Sequence, residues 1–195
     1  MTRTLLLPVL TTAALALSAC GNQPSGTETS AQATEAVASA SEAAVLDQGL
    51  PIDALPEVPG GRESWEECPY LDTQWVADTN GQRMTGVGID TRFDTPACVF
   101  WSYPEEPQAT VIVRHMPDQE SAIRVVNWAA PIAETEPVNP PADDPDGWMG
   151  GRIGNEFGSK YAVQKGNIAV VVFSNQNQSV KAESIALEAI NRLGL

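Results

Sequence analysis

The run Ile168-Ala169-Val170-Val171-Val172-Phe173 constrains the fold more than any other stretch. Successive side chains of a strand point to opposite faces, so six consecutive apolar residues leave no face suited to water. The run is strand-length and rich in β-branched residues, and it places this strand centrally in a sheet. Tyr161 to Gln164, a turn at Lys165-Gly166 and the stretch from Asn167 to Ser174 together read as a tight hairpin.

The elements upstream supply the rest of the sheet. Met84 to Ile89 reads as a strand weakened by Gly86 and Gly88. Cys98 to Tyr103 and Ala109 to Met116 read as stronger strands, and Trp148 to Phe157 as a glycine-interrupted one. Three helices are expected. The first runs from Thr73 to Thr79, with Asp72 as N-cap and Asn80-Gly81 as its end. The second follows Pro117 with Asp118 as N-cap, carries Ala122, Val125, Val126 and Ala129 as its apolar stripe, and stops at Pro131. The third runs from Val180 to Leu193, with Ile185, Ala189 and Leu193 four residues apart and Gly194 as its stop. This order predicts an α+β domain: an antiparallel sheet of about five or six strands with helices packed on it, preceded by a signal peptide and a disordered stalk.

The first twenty residues read as a targeting segment. Arg3 gives a positive start, and Leu5 to Ala19 is uncharged and apolar but short for a bilayer span of about 20 residues. Leu17-Ser18-Ala19-Cys20 resembles the bacterial lipobox, in which the cysteine thiol receives a diacylglycerol; two or more acyl chains make a stable anchor. Residues 1–19 are therefore expected to be a lipoprotein signal peptide, with Cys20 as the lipidation site. Residues 20–61 are expected to be a flexible low-complexity linker: Ala, Ser, Thr, Glu and Gln dominate as far as Ala44, no aromatic precedes Trp65, and Pro51, Pro56, Pro59, Gly60 and Gly61 follow. Residues 62–195, with all the aromatics, are expected to form a single extracytoplasmic domain. The predicted location is the outer face of the cytoplasmic membrane, in the cell envelope.

With Cys20 assigned to lipid, Cys68 and Cys98 remain as an even pair in an oxidising compartment, so a disulfide is expected. It would close a loop of about 31 residues, contribute about 3–4 kcal/mol, and pin the first helix to the second strand.

The lipobox, the low-complexity stalk, the Cys68-Pro69-Tyr70-Leu71 opening, the Ala97-Cys98-Val99-Phe100-Trp101 motif and the ending from Gly158 to Val172 resemble uncharacterised actinobacterial surface lipoproteins, grouped under domains of unknown function. The resemblance implies a surface lipoprotein with Cys68 and Cys98 paired, and it carries over no catalytic residue.

No catalytic signature stands out. His115 is the single histidine, which rules out a His-rich zinc site, and no Gly-x-Ser-x-Gly elbow is present. The long acidic, proline-rich stretch from Ala133 to Gly147 is the best candidate binding loop, with Asp143, Asp144, Asp146 and the following Trp148 as contacts. Asp144-Pro145-Asp146-Gly147 copies the middle of a calcium loop, but Ala142 and Ile153 stand at two of its strongest ligand positions, so no metal is assigned. No cofactor is assigned either. The net charge of −14 disfavours nucleic acid and anionic surfaces, so membrane attachment must come from the acyl anchor. The favoured function is a non-enzymatic binding or interaction module of the cell envelope, with an envelope protein or wall polymer as partner. The alternatives are a small envelope hydrolase and a carrier of a lipid or other small ligand in an apolar pocket on the sheet.

Overall fold

Seven strands and three helices form among the described residues. In the computed structural model these are residues 49–195; the expected signal peptide, the lipidation site at Cys20 and most of the expected stalk lie outside them. The order is α1 (Thr73–Asn80), β1 (Gly86–Asp90), β2 (Thr95–Trp101), β3 (Pro107–His115), α2 (Gln119–Ala129), β4 (Glu136–Val138), β5 (Met149–Asn155), β6 (Gly158–Lys165), β7 (Ile168–Ser174) and α3 (Ser179–Leu193). The strands make one open antiparallel sheet in the order β1-β2-β3-β7-β6-β5-β4. The α+β expectation holds, and β7 lies at the centre.

The sheet has seven strands where five or six were expected. The addition is β4, inside the stretch read as an unbroken loop from Ala133 to Gly147. Its Glu136, Pro137 and Val138 pair with Arg152, Gly151 and Gly150 of β5. Three residues are too few for an alternating pattern to register, and proline is tolerated because this is an edge strand.

The central strands explain their own composition. Val111 and Val113 of β3 align with Val172 and Val170 of β7, which align in turn with Tyr161 and Val163 of β6. These residues pack beneath α3, through Ala182, Ile185, Ala186 and Ala189, and beneath Val76 of α1. The intervening residues Ile112, Val171 and Ala162 face the other way, toward Ala122, Val125, Val126 and Ala129 of α2. The apolar run is thus buried from both sides.

The helix caps follow the sequence. Asp72 accepts a hydrogen bond from Trp75 N and Asp118 one from Ser121 N, while Gly81 takes the left-handed conformation that ends α1. Cys68 and Cys98 are joined in a disulfide, Cα atoms 5.6 Å apart, which ties the segment before α1 to β2.

The folded body reaches upstream of Arg62, into the last part of the segment read as linker. Residues 50–61 form an extended strap over the α2 face. Leu50, Ile52 and Ala54 pack against that side of the core. The buried Arg114 donates from its guanidinium to the carbonyls of Leu50 (3.1 Å), Pro51 (3.0 Å) and Ile52 (3.4 Å), and lies 5.5 Å from the Phe93 ring centroid. Glu57 N donates to Asp90 Oδ2 at 2.7 Å, and Arg92 bridges Asp90, Glu57 and the Leu55 carbonyl. The glycines of β1 permit this contact. A Cβ on Gly88 would sit 2.3 Å from Val58 Cγ1, and one on Gly86 would sit 2.1 Å from the Arg62 carbonyl oxygen. Next, Ser64 O and Glu66 N bond to Val87, covering part of the β1 edge.

Candidate functional site: an aromatic groove beside the strap

On the α2 face, helix and sheet differ in length. Eleven residues of α2 span about 16 Å, whereas the nine residues of β3 span about 30 Å. The helix therefore leaves the end of this face uncovered, where β3 begins and β7 finishes. There the strap and α2 flank a groove of about 540 Å³.

Its floor consists of Val99 and Trp101 of β2, Pro107 and Thr110 of β3, and Phe173 of β7. One wall is the strap, through Leu55, Pro56 and Val58. The other is the last turn of α2, where Trp128 meets Phe173 edge-on with ring centroids 5.9 Å apart. Phe157, on the turn between β5 and β6, stands at the mouth and is 88 % exposed; Leu55 on the strap is 57 % exposed. Lys160 of β6 reaches over the Phe173 ring, Nζ 5.8 Å from its centroid. Glu106 lies at the β2–β3 flank, and β3 and β7 lie between that flank and Lys160. A groove of this volume, apolar with few polar groups, has the size and character of a small-molecule site, typically about 300–1,000 Å³.

The same end of the sheet is finished with hydrogen bonds elsewhere. Asn80, at the end of α1, is buried; it accepts from Ser174 Oγ at 2.6 Å and donates to the Gln108 carbonyl at 3.0 Å. Lys181 of α3 donates to the Asn80 carbonyl at 2.9 Å. This network satisfies buried polar atoms and closes the molecule there.

The residues singled out from sequence do not converge on the groove. Asp143, Asp144 and Asp146 are exposed on the loop before β5, and Asp144 Oδ2 lies 3.9 Å from Lys165 Nζ. Trp148 packs, half-buried, against the α1–α3 side of the core, on the face opposite the groove. Among the described residues no group of three or more His, Cys, Asp and Glu side chains is placed to hold a metal ion. His115 Nδ1 is 3.4 Å from Asp94 Oδ2 and makes no hydrogen bond, and no hydroxyl among the described residues is bonded to the ring. Cys68 and Cys98, joined to each other, offer no thiol.

Sequence reasoning missed the groove residues. A usable signal was present: Phe173 shares a face with Ala169 and Val171, and Trp128 follows Val125 by three positions on α2. Both faces change from small to aromatic side chains where helix and strand end together.

An open antiparallel sheet, helix-covered on both faces and carrying a groove on one, defines the class as an α+β domain without a recognisable catalytic centre among the described residues. The chain belongs to the DUF2020 family, a domain of unknown function, whose match spans residues 50–195 and so begins where the strap begins. No curated protein matches the chain. No helix among the described residues is long and apolar enough to cross a membrane.

Proposed function

We propose that this protein is a membrane-anchored, extracytoplasmic binding module that takes a small apolar ligand in the groove between the strap and α2. The carrying observation is the apolar chemistry of the groove. The exposed Leu55 and Phe157 and the half-buried Trp128 and Phe173 gather around one groove floored by the buried Val99 and Trp101, and exposed apolar surface collected in a groove marks a ligand site. Anchoring through Cys20 rests on the lipobox pattern, and the Cys68–Cys98 disulfide is the kind of bond an exported domain keeps. The ligand-carrier reading, with the groove as its site, replaces the acidic loop as the favoured contact.

The test is titration of a neutral fluorescent probe, phenylnaphthylamine, into the full chain carrying Cys20→Ser, which removes the expected acyl site. Saturable binding is expected, weakened more than about tenfold by Trp128→Ala, as for a buried aromatic contact. Phe157→Ala should also weaken it, and at 88 % exposure that side chain contributes little to folding. Binding that ignores both substitutions would sink the proposal.

A further inference from the structure

We infer that the ligand is a single-chain anionic amphiphile, its apolar chain lying on the aromatic floor and its anionic head meeting Lys160. The inference rests on the groove being the binding site and adds the chemical class of what binds.

The argument is one of charge. All lysines and arginines except Arg3 lie among the described residues. Arg62, Arg114 and Lys181 donate to backbone carbonyls. Arg83 and Arg124 meet hydroxyl oxygens. Arg92, Arg152, Lys165 and Arg192 meet carboxylates. Lys160 alone among them meets no oxygen; its charged end stands over the ring of Phe173.

In a chain with 25 acidic residues against 11 basic ones, carboxylate partners are plentiful. A lysine held away from all of them, at the rim of an apolar groove, is placed for a negative charge brought by something else. The side chain is exposed, so its pairing with an incoming anion has the modest size of a surface charge pair.

The opposite flank sets a limit. Glu106 is separated from Lys160 by β3 and β7, so it neither pairs with the lysine nor favours a second anionic group there. With a net charge of −14 on the whole chain, a head of low charge is favoured over a highly charged one. One anionic end on Lys160, and an uncharged chain running toward Trp101 and the strap, satisfies both flanks.

The shared chemistry, an acyl or alkyl chain with a carboxylate or phosphate head, fits a free fatty acid or a lysophospholipid-type lipid. The experiment uses the full chain carrying Cys20→Ser with bound cis-parinarate, excited by energy transfer from the tryptophans and displaced by competitors of equal chain length. Hexadecanoate or hexadecyl phosphate should displace it, and hexadecanol should compete about fivefold more weakly, the size of a partly exposed charge pair. Preference for the carboxylate identifies a fatty-acid source, and preference for the phosphate a phospholipid source. Lys160→Met should abolish the preference for anion over alcohol while leaving hexadecanol competition unchanged. Equal competition by hexadecanol and hexadecanoate in the unsubstituted chain, or stronger competition by hexadecyltrimethylammonium, overturns the anionic head and leaves the groove standing. No binding of cis-parinarate overturns the amphiphile, and if phenylnaphthylamine also fails to bind, the groove falls with it.

Discussion

The strap should be an integral part of the fold, and removing it should cost a large share of the stability. The perturbation is a chain starting at Arg62, compared with the full chain, both with and without Arg114→Met. Leu50 and Ile52 are half-buried, so each contributes about 1 kcal/mol of apolar burial, roughly half of a fully buried side chain. Arg114 is buried and donates to the carbonyls of Leu50, Pro51 and Ile52, and charged hydrogen bonds of this kind contribute about 1.5–3 kcal/mol. Deletion should therefore destabilise by about 3.5–5 kcal/mol, against a typical total of about 5–15 kcal/mol. At a slope of about 2 kcal/mol per molar, the urea midpoint followed by tryptophan fluorescence should fall by about 2 M. Arg114→Met should cost about 3 kcal/mol in the full chain, because it leaves the strap carbonyls without their donor. In the shortened chain, where those carbonyls are absent, it should cost nothing or stabilise. Additive effects in the two backgrounds, or equal midpoints for the two lengths, would refute the clamp.

Acid should loosen the same strap from its other end. Burial pushes the Asp90 carboxyl up, but the hydrogen bonds from the Arg92 side chain, Glu57 N and Arg92 N, together with the Arg92 charge, outweigh it and hold Asp90 below its ordinary value. A depressed carboxylate contributes stability that is present above the unfolded value of about 3.9 and lost as pH falls through the lower folded value. The urea midpoint should accordingly drop below about pH 4, and Asp90→Asn should lower it at neutral pH and flatten the acid fall; an unchanged acid profile would contradict this assignment. For the anchor, Cys20→Ser in a bacterial host should move the chain from the membrane fraction to the soluble one, and retention in the membrane fraction would argue against lipidation.

The legible parts of the fold were those where one chemical demand acted alone. Ile168 to Phe173 has no polar residue to give away a face, and it proved to be the middle strand. Asp72, Gly81 and Asp118 made caps because short acceptor side chains and a left-handed glycine solve a local problem, whatever lies around them. The strap was harder to read. Ile52, Ala54, Pro56 and Val58 alternate inward with exposed Asp53, Leu55 and Glu57, a strand-like period, but its prolines and its position after a low-complexity stretch made the segment look like linker. Its partners, Arg114 and Asp90, are 63 and 33 residues away from the atoms they hold, and no local pattern carries such a pairing. The groove escaped for the same reason, since Leu55, Trp128 and Phe173 meet only after the chain has folded.

The two faces of the sheet end differently, and that contrast bears on the proposed site. Where β3 begins and β7 ends, the α1 and α3 helices are tied together through Asn80, Gln108, Ser174 and Lys181, so buried polar groups there are paired. Across the sheet, α2 is shorter than the strands it covers, and the strap passes alongside without filling the gap. If the gap were merely where packing ran out, the exposed Leu55 and Phe157 beside the half-buried Trp128 and Phe173 would be costly choices, because large apolar surfaces facing water favour association between copies. Polar substitutes at Leu55 and Phe157 would leave β7 buried and α2 capped as they are. Under the proposed reading an occupant covers this exposed apolar surface, and Lys160 at the rim bears on which occupant that is.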